Sequence, residues 1–468
     1  MPIDVLPGEH GGPRTIISGP VIGIDTKSAV NLGDEATGLA ENRWASLQNM
    51  RLINGQPVRM DGSTLYATSF VMPDNVAPIA AYSYTNSDGT QIWVAVSAAG
   101  IAYTVAVAGG AATFTERRNT LSAAQVFMAG IQVGDYMVLT DRTNGHWKWD
   151  GTNFIPLGAK MVSTFEASET WTGGTANTTT YRQGIQSRNA APVDGGTVNL
   201  ERTITDTNFT TGLLLAKAYP TTGTVVARIH FFVNLTNQAQ LDTALSFIRF
   251  GNAADTVYFQ ATASLWGTLA AGWNEVFINL TAFVSTGAPV WTDIDKILIR
   301  TVDTAGGAQV SAIYDDLYIT YAATEVMPPC AVNSELKSVY FAGDTTTNGR
   351  SAFQFAKAGG PDQFDATAFN QIKEKDGTNV SGMFPFYNQL FLTKENSCHS
   401  ISVSLTGTVY PAYNFDLQQV TTEHGCTSHR SLLESDKKIY MHWRGRFGGT
   451  MDRRRSTCPT TWSPRYST

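Results

Sequence analysis

Residues Gly134 to Ile155, GDYMVLTDRTNGHWKWDGTNFI, read as three short strands joined by two turns. Tyr136-Met137-Val138-Leu139 is an apolar run, Thr143-Asn144-Gly145 a turn signal, and His146-Trp147-Lys148-Trp149 an aromatic strand. Asp150-Gly151 then turns the chain into Asn153-Phe154-Ile155. Asn-Gly and Asp-Gly favour tight hairpin turns because both residues tolerate positive φ. Looser copies of this unit surround Ile79–Val105, Leu336–Phe355, Met383–Val403 and Ser431–Phe447. Elsewhere apolar residues alternate with period two or form short runs bounded by Gly, Asn, Asp and Pro, as in Ile92-Trp93-Val94-Ala95-Val96. One helix is expected, from Glu35 to Met50, where Leu39, Trp44, Leu47 and Met50 share a face. The chain is expected to be all-β.

Of the 468 residues, 43% are hydrophobic and only 15% charged, against about 25% in typical soluble proteins. Thr, Ser, Asn, Gln and Gly must therefore cover much of the surface. With 33 basic and 39 acidic residues the net charge is −6, which excludes a binder that releases counterions from nucleic acid. Cys330, Cys398, Cys426 and Cys458 lack CxxC spacing and are expected as free buried thiols of a protein made in a reducing cytoplasm. Met1 to Gly12 lacks the apolar core of a secretory signal, and no apolar stretch is long enough to span a bilayer.

Turn signals fall every ~8–12 residues from Asn49 to Gly158, give way to longer Thr-rich strands from Val162 to Tyr321, and return from Pro328 to Phe447. A segment of distinct texture between similar flanks suggests an insertion. The expected organisation is a β-propeller-like domain interrupted by an inserted β-sandwich of jelly-roll type. Its parts are an N-terminal arm over 1–48, a first propeller part over 49–161, the sandwich over 162–325, a second propeller part over 326–447 and an irregular tail over 448–468. One twisted sheet cannot bury both faces, so such blades pack radially, and about six or seven would fit outside the insertion. A stack of sandwiches is the competing arrangement. The tail, with Arg453-Arg454-Arg455, Pro459 and Pro464, reads as a truncated or frameshifted end or as a segment ordered only in an assembly.

Within the insertion, Gly272-Trp273-Asn274-Glu275-Val276-Phe277-Ile278-Asn279-Leu280 leads to Trp291-Thr292-Asp293-Ile294-Asp295-Lys296-Ile297-Leu298-Ile299 and then Ile313-Tyr314-Asp315-Asp316-Leu317-Tyr318-Ile319. This succession resembles the C-terminal half of jelly-roll carbohydrate-binding modules and galactose-binding-like sandwiches. The resemblance implies a structural calcium held by Glu166 or Glu169 with Asp315 or Asp316, since a hard cation takes oxygen ligands. The alternative is that Asp315-Asp316 simply ends a hairpin. Glycan binding would draw on Trp171, Tyr181, Tyr258, Trp266 or Trp291, most of which are expected in a sandwich core.

The chain lacks G-x-S-x-G, the P-loop, a G-x-G-x-x-G opening a helix, and H-E-x-x-H. His424-Gly425-Cys426-Thr427-Ser428-His429 has tolerable metal-ligand spacing but no fourth partner, and is better read as strand and turn. Ser87-Asp88-Gly89-Thr90-Gln91-Ile92-Trp93 does not match the sialidase-type turn. No residue set stands out as catalytic, and no enzyme is expected.

Several flank segments together resemble the tail nozzle, or tail tubular and packaged-DNA stabilisation, family of tailed bacteriophages. They are Leu47–Gly62, Ser338–Asp365, Asp376–Ile401 and Gly425–Met441. The resemblance implies a virion protein synthesised in the bacterial host cytoplasm. It would form a homo-oligomeric ring, hexameric in order, against portal, adaptor and tail proteins, with viral DNA passing through unbound. A net-negative wall suits such a conduit because it repels phosphate. The alternative is a glycan-binding adhesin or decoration protein whose sandwich meets a host surface glycan. A third reading is a propeller glycosidase or depolymerase with an acidic pair in a central pocket.

Overall fold

The computed structural model describes residues 72–108, 111–122, 127–209, 227–321, 327–346, 349–372, 377–405, 413–421, 425–429 and 432. Short strand backbones are described besides: β1 (Gly23–Ile24) pairs in parallel with β2 (Arg43–Trp44), and β3 (Met50–Ile53) forms a hairpin with β4 (Gln56–Arg59). β2 and the start of β3 thus fall as strands inside the stretch expected as a helix; the rest of Glu35–Met50, Cys458 and the C-terminal tail lie outside the described residues.

The fold is all-β. Four antiparallel sheets of four strands each are simple meanders, with strand order equal to chain order. The first holds β5 (Pro78–Thr85), β6 (Gln91–Ser97), β7 (Ala102–Ala108) and β8 (Ala111–Arg118). The second holds β9 (Ala129–Val133), β10 (Tyr136–Asp141), β11 (Gly145–Trp149) and β12 (Phe154–Pro156). Between it and the third lie the sandwich strands: β13 (Lys160–Ser163), β14 (Thr175–Asn177), β15 (Ser187–Ala190), β16 (Thr197–Thr207), β17 (Ala227–Thr236), β18 (Phe247–Gly251), β19 (Tyr258–Thr262), β20 (Gly272–Asn279), β21 (Val284–Thr286), β22 (Ile294–Val302) and β23 (Ser311–Tyr321). The third meander holds β24 (Cys330–Leu336), β25 (Val339–Thr345), β26 (Gly349–Lys357) and β27 (Gly360–Gln371). The fourth holds β28 (Val380–Phe386), β29 (Gln389–Lys394), β30 (Cys398–Leu405) and β31 (Tyr413–Thr421), and two short hairpins, β32 (Leu433–Ser435) with β33 (Lys438–Tyr440) and β34 (His442–Trp443) with β35 (Arg446–Phe447), follow.

The Asp-Gly and Asn-Gly signals work as the chemistry requires: Gly89, Gly145 and Gly151 all take positive φ. Two hairpins do the same without glycine. Lys337-Ser338 joins β24 to β25 and Tyr387-Asn388 joins β28 to β29, each with positive φ at both positions.

Each meander exposes apolar residues on both faces and packs them against the next. Ile79, Tyr84 and Val94 of the first sheet share a core with Met137, Leu139 and Trp149 of the second. Gly130 is needed at that seam, because a Cβ there would lie 2.5 Å from the Tyr82 ring and the Leu139 side chain. Val133, Val138 and Leu157 of the second sheet pack with Cys330, Tyr340, Ala342 and Phe364 of the third. The residues before and after the insertion therefore share one core. Polar clamps fix these seams: Lys148 with Asp362 at 2.5 Å, Arg142 with Asp344 at 2.6 Å, and the buried Lys394 ammonium donating to Ser351 Oγ and the Ile372 carbonyl, both at 3.0 Å.

The insertion is two sheets face to face. One has the order β14-β15-β23-β17-β20, with β13 on β23; the other has β16-β22-β18-β19-β21. Phe231, Val233, Ile278, Tyr314 and Leu317 from the first meet Leu200, Ile248, Phe250, Ile297 and Ile299 from the second, and all are buried. The strand leading in and the strand leading out are neighbours, with Lys160 opposite Ile319 and Met161 opposite Tyr318. A sandwich can interrupt the meanders without separating them because its two ends lie side by side.

The outer face of the first sandwich sheet docks on the flank. Phe232 and Tyr318 bury themselves against Ile155 and Ala159, with Met161 and Trp273 alongside. At its centre, Arg118 at the end of β8 is fully buried. Its Nε donates to the Phe154 carbonyl at 2.8 Å and its Nη2 to Gln183 Oε1 at 2.9 Å and to Asp316 Oδ2. Its guanidinium also lies 4.7 Å over the Trp147 ring. We expect Arg118→Met, which strands a buried carboxylate, to cost about 3–5 kcal/mol, and Arg118→Met with Asp316→Asn to cost less than the sum of the two. Urea unfolding midpoints measure this; a loss below about 1 kcal/mol would contradict the clamp.

Candidate functional site

With one sandwich sheet against the flank, the other turns its outer face away from the contacts just described. Strand register sets what that face carries. Asn199, Arg300, Phe247 and Thr262 stand side by side across β16, β22, β18 and β19. The next rung is Glu201, Leu298, Arg249, Gln260 and, on β21, Val284; the third is Thr203, Lys296, Gly251, Tyr258 and Thr286. Period-two alternation puts the apolar partners of these residues inside and leaves amides, hydroxyls, cations and Tyr258 on the outer face, where Phe247 and Leu298 are buried beneath their neighbours.

The charged groups are held in place. The Arg249 guanidinium lies 3.7 Å over the Tyr258 ring and 4.5 Å over Phe247. It pairs with Asp255 at 2.6 Å and donates from Nη2 to Gln260 Oε1 at 2.6 Å. Arg300 lies 4.8 Å over the other reach of Phe247 and donates from Nε to Asn199 Oδ1 at 2.9 Å. Lys296 pairs with Glu201 at 2.8 Å. Arginines braced on aromatic rings present fixed donors at low entropic cost, which suits a flat, hydroxyl-rich ligand.

Apart from this face, a concavity of about 330 Å³ opens where the sandwich meets the first two meanders. Glu116, Arg117, Asn153, Thr164, Glu166 and Gln183 line it. Burial pushes both the Glu116 and the Glu166 carboxyl above the usual range.

The carboxylates expected to hold calcium are placed otherwise. Glu166 Oε1 accepts the Ile185 and Gln186 amides at 2.7 and 3.1 Å, and Gly184 allows this wrap because a Cβ there would meet that oxygen. Glu169 accepts the Thr164 and Phe165 amides and the Trp171 indole and faces Arg202 at 3.2 Å. Asp315 Oδ2 accepts the Arg182 and Gln183 amides at 2.6 and 3.0 Å, and Asp316 faces Arg118. Amide N–H groups take one oxygen each of Glu166 and Asp315 and both of Glu169, and Arg118 takes Asp316 Oδ2; Asp315 Oδ1 and Asp316 Oδ1 are buried without a hydrogen-bond partner, and no three His, Cys, Asp or Glu among the described residues could hold a metal. Among the described residues these carboxylates are not gathered into one metal site. Asp315-Asp316 instead makes the bulge that ties β23 to the flank, with Asp316 at φ 58°.

Of the expected aromatic candidates, Trp171 and Trp266 are core residues, and Trp291 is half-buried and stacked 4.0 Å from Phe259. Tyr181 is half-buried, and Tyr258 alone stands on the outer sheet face just described. Arg249, Arg300 and Phe247 went unnoticed in the sequence; period-two parity within FIRFG and ILIRT, opposite the apolar partners, could have found them. In the His424–His429 stretch, Cys426 donates to the Ser428 carbonyl at 3.0 Å and His429 accepts from the Met383 amide at 3.4 Å; His424 lies outside the described residues.

One cysteine–histidine pair was also unanticipated. Cys330 Sγ lies 3.3 Å from His146 Nε2. Burial lifts the thiol to about 12 and lowers the imidazole to about 3, so both stay neutral and the pair is inert.

No family model and no curated protein matches the chain. Among solved structures, a family 11 carbohydrate-binding module of a Clostridium thermocellum cellulosomal cellulase is similar at 12% identity, over 36% of this chain and 96% of that one, with a TM-score of 0.26. Carbohydrate-binding modules of the β-sandwich superfamily are similar at 12% identity over 53% of this chain and all of theirs, with a TM-score of 0.23. A β-1,2-glucanase of Parabacteroides distasonis is similar at 13% identity over 57% of this chain and 31% of its own, also at 0.23. Likeness at this level carries no argument about what this chain binds. The tail-nozzle resemblance finds no support in these comparisons.

Native protein should leave Cys330 unlabelled by iodoacetamide at pH 8, with labelling only after denaturation; rapid native labelling of Cys330 would contradict its burial. Desolvation, reinforced by Asp316, raises the Asp315 carboxyl well above its ordinary value. The fold therefore holds that proton more tightly than the unfolded chain. Its contribution to stability is complete below an unfolded pKa of about 3.9 and is lost as pH rises through the raised value. Asp315→Asn should flatten the fall in melting temperature above pH ~4, and an unchanged slope would contradict this.

Proposed function

We propose that the chain is a glycan-binding protein of adhesin type, in which the meanders are a scaffold and the outer face of the sheet β16-β22-β18-β19-β21 meets the sugar. The observation that carries this is the ladder Tyr258–Arg249–Phe247–Arg300, with Asn199, Gln260 and Thr262 beside it on the same face. Sugars combine hydroxyl rims with weakly polar ring faces, and recognition needs fixed hydrogen-bonding groups beside planar surfaces. The ladder supplies the hydrogen-bonding groups, with half-buried Tyr258 as its accessible ring and Phe247 buried beneath the two guanidinium groups, and its geometry is set by strand pairing instead of by a loop. We read the four meanders as consecutive propeller blades; their seams make a stiff base from which this face projects. No catalytic role is assigned.

The test is a polysaccharide array with the full chain. Arg249→Ala and Tyr258→Ala should each weaken binding about tenfold or more, since each removes a charged donor or its stacking partner. Melting temperature should stay close to wild type. Undiminished binding by both variants would remove the face from the site, and silence across the array would remove the function.

A further inference from the structure

We infer that the preferred glycan is acidic, with Arg300 receiving a sugar carboxylate; this rests on the face proposed above being the glycan site. Among the described residues the face carries three cations, Arg249, Lys296 and Arg300, against two carboxylates, Glu201 and Asp255. Arg249 is neutralised by Asp255 and Lys296 by Glu201. Among the described residues Arg300 has no ion pair: its Nε donates to the neutral Asn199 amide oxygen, its plane rests on Phe247, and neither Nη atom donates to the protein. The surplus charge among the described residues of the face is thus one positive fork in a chain of net charge −6.

That fork is prepared for a bidentate ligand. Register fixes Arg300 between Asn199 on one neighbouring strand and Phe247 on the other, so its guanidinium is oriented before anything binds. A planar guanidinium with two parallel N–H groups matches a carboxylate, and the match adds specificity as well as affinity. Arg300 is half-buried, so screening by salt is weaker than at a free surface arginine. A neutral polymer would leave the fork without a counter-charge, whereas a uronic-acid polymer supplies one at a regular spacing.

The experiment compares polygalacturonate with its carboxyl-reduced form, titrated calorimetrically into the full chain and into Arg300→Gln and Arg300→Lys. The expected result is that wild type prefers the acidic polymer by about tenfold or more, a charged hydrogen-bonded pair being at stake. Arg300→Gln should lose that preference, so that it no longer binds the acidic polymer more tightly than the reduced one, and Arg300→Lys should regain part of it. Equal binding of both polymers by wild type, or an acidic preference that survives Arg300→Gln, would overturn the inference while leaving a glycan-binding face in place. Binding that is acid-selective yet unaffected by Arg249→Ala and Tyr258→Ala would instead place the acidic site elsewhere and reject both. No binding of either polymer by wild type, with neutral glycans bound on the array, would reject the acidic preference alone.

Discussion

The buried Arg118–Asp316 pair is the constraint on which the arrangement of this chain depends. Arg118 closes the first meander, takes the Phe154 carbonyl of the second, and reaches Gln183 and Asp316 of the sandwich. Three units separated in sequence thus meet on one guanidinium. Taking two charges out of water costs several kcal/mol, and their attraction returns it only where geometry and further hydrogen bonds are complete. Here the planar fork meets a carbonyl, an amide oxygen and a carboxylate while its face covers Trp147. The pair therefore selects one docking of the sandwich more than it adds net stability. A sandwich displaced by one strand register would leave both charges unpaired.

That docking also determines which face can work. The two sandwich sheets have opposite fates. The one containing β23 and β17 turns Phe232, Tyr318 and Trp273 inward against the flank. The other is left with Arg249, Arg300, Lys296, Gln260 and Tyr258 outward, and its rings are used to brace guanidinium groups instead of filling a core. The bulge at Asp315-Asp316 serves the docking, since Asp315 Oδ2 takes backbone amides and Asp316 Oδ2 takes Arg118.

The strand texture was legible because it follows from local rules: period-two alternation, and Asn-Gly or Asp-Gly where a turn needs positive φ. The hairpins at Lys337-Ser338 and Tyr387-Asn388 break the second rule, and only flanking alternation reveals them. The insertion could be seen from a change in strand length and Thr content. Its site was less legible. Tyr258 was among the aromatic candidates, but which of five rings stays outside depends on register across β18, β19 and β22, and register is a long-range property. Glu166, Asp315 and Asp316 were calcium candidates through the resemblance to jelly-roll modules. Their actual partners, a backbone wrap enabled by Gly184 and an arginine 198 positions before Asp316, leave no mark in the local sequence.

Charge placement joins these threads. A chain with so few ionisable residues concentrates many of its described ion pairs at two places. Arg118–Asp316, Lys148–Asp362 and Arg142–Asp344 sit at seams, where an unpaired partner would be costly and each pair fixes a relative position. Arg249–Asp255 and Lys296–Glu201 sit on the outer face, where they orient side chains around Arg300. On that face Arg300 differs from its neighbours: its contacts are the neutral Asn199 amide and the Phe247 ring, with no ion pair among the described residues.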